Sequence, residues 1–142
     1  MIQRMANWLQ TYPLWEGKLT VDYLGSAPGS VGLYPAGVEE LDRREDVAGN
    51  VTASYRCLFD LRRVTTGQQD CREHAQRLLD FCQWVNRQSR MGLAPKFGDE
   101  PARERIRAEK GKLQSASQTG TATYTVRLTA EYVIKGENDH EN

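Results

Sequence analysis

Five carboxylates fall within one short stretch, Glu39, Glu40, Asp42, Glu45 and Asp46, with Arg43 and Arg44 set among them. Paired carboxylates can share general-acid and general-base work when their surroundings push their pKa values apart. Here the arginines stand between them, so the stretch reads as a self-neutralising segment. His74 and His140 stand alone, and a lone histidine on a helix reads as a surface residue before it reads as a base. Cys57, Cys71 and Cys82 form no C-x-x-C pair. The last two lie three helical turns apart, too far to share a metal, so all three read as small apolar residues. "GSAPGSVG" (Gly25–Gly32) is rich in glycine, but no lysine follows it and no clear helix begins there. Nucleophile-elbow, phosphate-loop and zinc-protease motifs are missing. With no constellation of acid, base and nucleophile, the chain is not expected to be an enzyme, nor to need a cofactor or a metal.

The other charged cluster is basic. Arg103, Arg105, Arg107, Lys110 and Lys112 are separated by few other residues, Glu104 and Glu109 among them. A basic helix gripping nucleic acid is one reading. As a helix, however, the stretch shows only a thin apolar stripe through Ile106 and Leu113, and Gly111 interrupts it at a cost of about 1 kcal/mol. The residues downstream favour a strand. "QTGT" (Gln118–Thr121) is a turn signal that leads into a long alternating segment, and a hairpin needs an antiparallel partner just upstream. The stretch 104–118 is therefore read as an extended arm that becomes a strand near Leu113. Its charges suit a solvated sheet edge first, a contact to another subunit second and specific DNA binding last. The whole chain carries 19 basic and 19 acidic residues. That balance argues against a dedicated nucleic-acid binder and offers little resistance to self-association.

The elements that must position these clusters follow from periodicity. Ile2, Met5, Leu9 and Tyr12 mark one face of a helix that Pro13 ends, and Trp8 widens the apolar stripe. "KLTVDYL" (Lys18–Leu24) alternates as a short strand. Residues 25–50 read as loop, with a short strand at Val31–Tyr34; "VEELDRREDVAGN" is either a charged extended segment or a helical turn. Val51–Val64 alternates with Ala53, Tyr55, Cys57, Phe59 and Leu61 on one face. A helix over 69–90 is expected, with Asp70 as N-cap, Ala75, Leu78, Leu79, Cys82 and Val85 inward, and Gly92 as its stop. From Thr121 to Lys135 the period returns to two.

At 142 residues the chain suits a single domain, expected over 1–135, with a polar tail at 136–142. Such a domain buries roughly 70% of the surface its unfolded chain exposes. A mean hydropathy of −0.67, no apolar run of membrane-spanning length and no signal-peptide pattern lead to the expectation of a cytosolic protein with no membrane partner. Trp15 and Tyr34 lie in segments bounded by Pro and Gly, where an aromatic either plugs the end of the core or meets a partner.

Three stretches together resemble a known group: "VDYLGSAPGSVGLYPAGVEELDRREDVAGN" (Val21–Asn50), "GLAPKFGDEPARERIRAEKGKL" (Gly92–Leu113) and "SQTGTATYTVRLTAEY" (Ser117–Tyr132). They are similar to the minor capsid or neck proteins of phages and prophages of Gram-positive bacteria, relatives of the tail terminators of long-tailed phages. The resemblance implies an α+β fold, with two helices on one face of a mainly antiparallel sheet and a long C-terminal β-hairpin. It also implies a virion protein assembled in the host cytoplasm into a ring, usually of six. Such a ring caps the tail tube protein and meets a neck or head-completion protein, while DNA passes through its lumen without sequence-specific binding. No functional residue is carried over from the family. The residues themselves suggest that Arg103–Lys112 of one subunit meets Glu39–Asp46 of the next. The competing expectation is a nucleic-acid-binding accessory protein that uses the basic arm.

Overall fold

The computed structural model describes residues 1–13, 19–22, 24, 30–66, 71–109, 112–116 and 121–136. In chain order it contains α1 (Ile2–Leu9), β1 (Leu19–Val21), β2 (Val31–Glu45), β3 (Val51–Thr66), α2 (Cys71–Arg90), a single 3-10 turn (Pro101–Arg103), β4 (Arg105–Ala108), β5 (Lys112–Ala116) and β6 (Thr121–Gly136). The six strands form one sheet in the order β1-β2-β3-β6-β4, and β5 follows β4 along the same side of β6. The fold is α+β. The sheet is mixed, because β1 runs parallel to β2 while every other pair is antiparallel. That corrects the expectation of a mainly antiparallel sheet at one edge. Reaching β2 in parallel sense lets Leu19 drop into the core (6% exposed) beside Val31.

The expected pattern of β3 and β6 is what builds the core. Cys57, Phe59 and Leu61 lie opposite Ala130, Leu128 and Val126 in the ladder, and all six are buried. Leu33 and Ile106 extend this face to β2 and β4. Both helices contribute to the same cluster, α1 through Met5, Ala6, Trp8 and Leu9, α2 through Phe81 and Val85. Trp8 stacks on Trp84 at 5.2 Å, and Tyr12 meets Phe81 and Trp84 edge-on. Leu79 is half exposed, against expectation. The inward stripe of α2 is instead Leu78, Phe81, Val85, a rotation that gives the larger aromatic to the core. Gly92 (φ 73°) ends the helix in a Schellman arrangement, with Leu93 N–H donating to Gln88 O and Gly92 N–H to Ser89 O.

The longest departure from expectation is β2, a strand of 15 residues where the sequence reads mostly as loop. It pairs with β3 along its whole length, taking up two bulges, at Pro35/Gly37 and Glu40/Asp42. Gly37 sits at φ 126°, a conformation that a side chain would strain. Of the two readings offered for the charged segment, the extended one holds. Beyond Leu33 the outer side of β2 has no partner strand among the described residues, because β1 ends there.

Candidate interaction surface

Helices cover one face of the sheet; the other bears charges joined across the ladder. Arg127 makes a two-pronged pair with Asp60, at 2.7 and 3.4 Å. This holds the guanidinium more firmly protonated than usual, through the hydrogen bond first and the charge of Asp60 second. Arg56 bridges Glu131 at 3.1 Å and Glu39 at 3.7 Å, tying β2, β3 and β6 together. Tyr34, expected at the end of a short strand in a segment bounded by Pro and Gly, lies within the longer β2, half-buried, with the Arg62 guanidinium 4.6 Å over its ring.

The acidic segment runs along the unpartnered edge of β2. Its charges are largely satisfied locally, as the interleaved arginines suggest. Glu40 pairs with Arg43 at 2.7 Å and Asp42 with Arg44 at 2.9 Å, all four side chains well exposed. Glu45 is exposed at the strand end. Asp46 builds the turn. Its Oδ1 accepts from the backbone N–H of Ala48 and of Asn50, and its Oδ2 from the Asn50 amide. These bonds, led by the Asn50 backbone, hold the Asp46 carboxyl below the usual aspartate range.

At the opposite side of the sheet, the basic arm forms β4. Arg103 precedes it and pairs with Glu100 at 3.0 Å. Arg105 and Arg107 alternate with the inward Ile106 and Ala108, and both are exposed. Arg105 faces Glu131 in the ladder, but that carboxylate is engaged by Arg56. Neither Arg105 nor Arg107 has an ion-pair partner among the described residues. The outward N–H groups of β4 are not open to a further strand. Ile106 N–H donates to Ser89 Oγ (3.0 Å) and Ala108 N–H to Asn86 Oδ1 (3.4 Å), both from α2. A groove of about 630 Å³ runs between α2 and β4, with Arg90, Arg105 and Arg107 among its lining residues.

Glu104, counted in the sequence as one acid within a basic patch, is only 6% exposed. Its Oε1 accepts from the N–H groups of Phe97 and Gly98, while its Oε2 is buried without a hydrogen-bond partner. It too lines the groove. Neither it nor Arg90 stood out in the sequence: Glu104 sits between Arg103 and Arg105, where a charge carries no periodic signal, and Arg90 is a single exposed cation at the end of α2. Trp15 and Lys110 lie outside the described residues, as does the side chain of Lys112. The same holds for His140, Asp70 and the side chains of Cys71 and His74. Cys57 is buried and Cys82 half-buried, and burial pushes both thiols up. Among the described residues no group of His, Cys, Asp and Glu side chains could hold a metal ion, and no helix is long and apolar enough to cross a membrane. What the described residues present is two unlike sheet edges.

Comparison with models of known protein families gives no match, and comparison with curated proteins gives none either.

Proposed function

We propose that this chain is a structural subunit of a phage tail or neck, or of a phage-derived particle. In this reading it closes with its own copies into a ring, six being the usual number, that terminates the tail tube and joins it to the head–neck complex. The carrying observation is the inequality of the sheet edges. From Pro35 to Glu45 the β2 edge has no partner strand among the described residues and is rich in carboxylates, whereas the β4 edge is basic and capped by Ser89 and Asn86. A ring needs a heterologous contact, in which one surface meets a different surface of the neighbour. Unlike edges supply that; two identical ones would favour a closed dimer. The family itself comes from the resemblance of Val21–Asn50, Gly92–Leu113 and Ser117–Tyr132.

The test is the mass in solution, by light scattering over a concentration series, with and without the matching tail tube protein. A species of six chains, alone or on the tube, is the expected result. A monomer indifferent to the tube protein refutes the reading. One observation favours a second reading: Arg90, Arg105 and Arg107 line one groove without ion-pair partners among the described residues, as phosphate-binding arginines would. A nucleic-acid-binding accessory protein would bind any duplex at low salt, with log affinity falling by roughly 0.9 per log unit of salt for each phosphate contacted.

A further inference from the structure

We propose that the turn at the far end of the β2–β3 hairpin seats in the α2–β4 groove of a second copy of this chain. Val47 packs on the apolar part of the groove, and the hairpin's carboxylates meet Arg90, Arg105 and Arg107. The inference rests on the ring reading and names the surfaces that would join.

Two observations carry it. The turn is built rather than loose: besides the Asp46 side-chain bonds, Asp46 N–H donates to Asn50 O at 2.9 Å and Gly49 N–H to Asp46 O at 3.0 Å, with Gly49 at φ 85°. Yet this ordered turn holds Val47 wholly out in solvent, and Val38 and Leu41 are also exposed on the strand behind it. A preorganised apolar tip loses little entropy on docking. Secondly, the groove is complementary. Arg90, Arg105 and Arg107 line it, none with an ion-pair partner among the described residues, with Ala102 and Ala108 among its apolar lining, while Glu39–Asp46 carries five carboxylates against two arginines. Because Ser89 and Asn86 already take the outward N–H groups of β4, the groove receives a hairpin tip by shape and charge instead of adding a strand.

Tip and groove lie on opposite edges, so the contact is heterologous, and this gives a test by complementation. Val47→Asp spoils the tip alone; Arg105→Glu with Arg107→Glu spoils the groove alone. All three residues are exposed, so circular dichroism should match the native chain. At a concentration and low salt where the native chain assembles, each variant should stay monomeric, with its assembly midpoint raised at least about tenfold. A one-to-one mixture should give a species of two chains and nothing larger, because one sound tip meets one sound groove. A mixture that stays monomeric while the native chain forms rings overturns the proposal and leaves the ring reading standing. Either variant assembling like the native chain also overturns it; if only the groove variant does so, the tip joins its own kind. A native chain that is monomeric with and without tube protein removes both.

Discussion

Removing the carboxyl of Glu104 should destabilise the domain far more than removing its charge. Glu104→Ala deletes the acceptor of two backbone N–H groups, those of Phe97 and Gly98, at a residue 6% exposed. A hydrogen bond to a charged acceptor contributes roughly 1.5–3 kcal/mol, and a buried donor left unpaired costs about 1–3 kcal/mol. The two donors are neighbours in one loop and relax together, so the losses do not simply add; about 2–4 kcal/mol is expected. In a domain of this size that lowers Tm by roughly 5–15 °C. Glu104→Gln keeps an acceptor at Oε1 and removes charge from a group whose other oxygen has no partner. It should lie within about 1 kcal/mol of the native chain. Urea denaturation gives the totals, and amide exchange at Phe97 and Gly98 locates the loss. Should the glutamine variant prove as damaging as the alanine one, charge and not the acceptor would be what matters, and the reasoning fails. It fails equally if alanine costs less than about 0.5 kcal/mol.

Gly98 lies so close to β6 that a Cβ there would sit 2.3 Å from the Val133 carbonyl oxygen. Gly98→Ala must therefore push the loop off the strand, at about 1–3 kcal/mol, and unprotect the Lys135 amide that donates to Asp99; unchanged exchange at Lys135 would refute this. Truncating Leu128, fully buried at the centre of β6, should cost about 2–5 kcal/mol by urea denaturation, and a cost under 1 would mean the core closes over the gap. The Asp46 carboxyl titrates below the ordinary aspartate value of 3.8, so its stabilisation of the turn is full above that value and is lost as pH falls through the lower folded one. An NMR titration should show the Asn50 amide shifting with Asp46 in that acid range, and titration at or above 3.8 would contradict the hydrogen-bonded turn.

What was legible in the sequence was whatever one buried face had written into it. β3, β6 and α1 each set apolar residues against a single side, so their period survived. The charged half of β2 buries neither face, and pairing alone makes it a strand; without burial there is no alternation to read. The basic arm was placed through its neighbour, the turn signal read at Gln118–Thr121, and this gave the strand near Leu113 that is β5; the stretch before it was read as an extended arm, without β4 as a strand of its own. Leu79 misled because α2 presents Phe81 and Trp84 inward, and apolar spacing cannot say which of two overlapping stripes wins. Glu104 was hidden for a different reason: its burial is imposed by the loop at 97–99, a long-range fact. Of the twelve interface candidates, the acids of β2 and the arginines of β4 were placed on opposite edges, an arrangement only the topology could supply.

Magnitudes decide how such edges could hold a ring together. The hairpin's ion pairs, Glu40–Arg43 and Asp42–Arg44, are exposed, and exposed pairs contribute about 0–1 kcal/mol each. Exchanging them for pairs with Arg105 or Arg107 of a neighbour therefore gains little net energy. The charges would instead set register and raise the rate of encounter, effects that salt screens within about 10 Å. The affinity must come from apolar area, and the exposed Val38, Leu41 and Val47 are the residues that offer it, at roughly 25 cal/mol per Å² buried. Three such side chains outweigh association costs only weakly in a single contact. Closing a ring makes the last contact intramolecular, so the same weak interface repeated around six subunits becomes stable while any open fragment stays labile. A subunit built this way would assemble on a template that gathers its copies and remain dispersed without one.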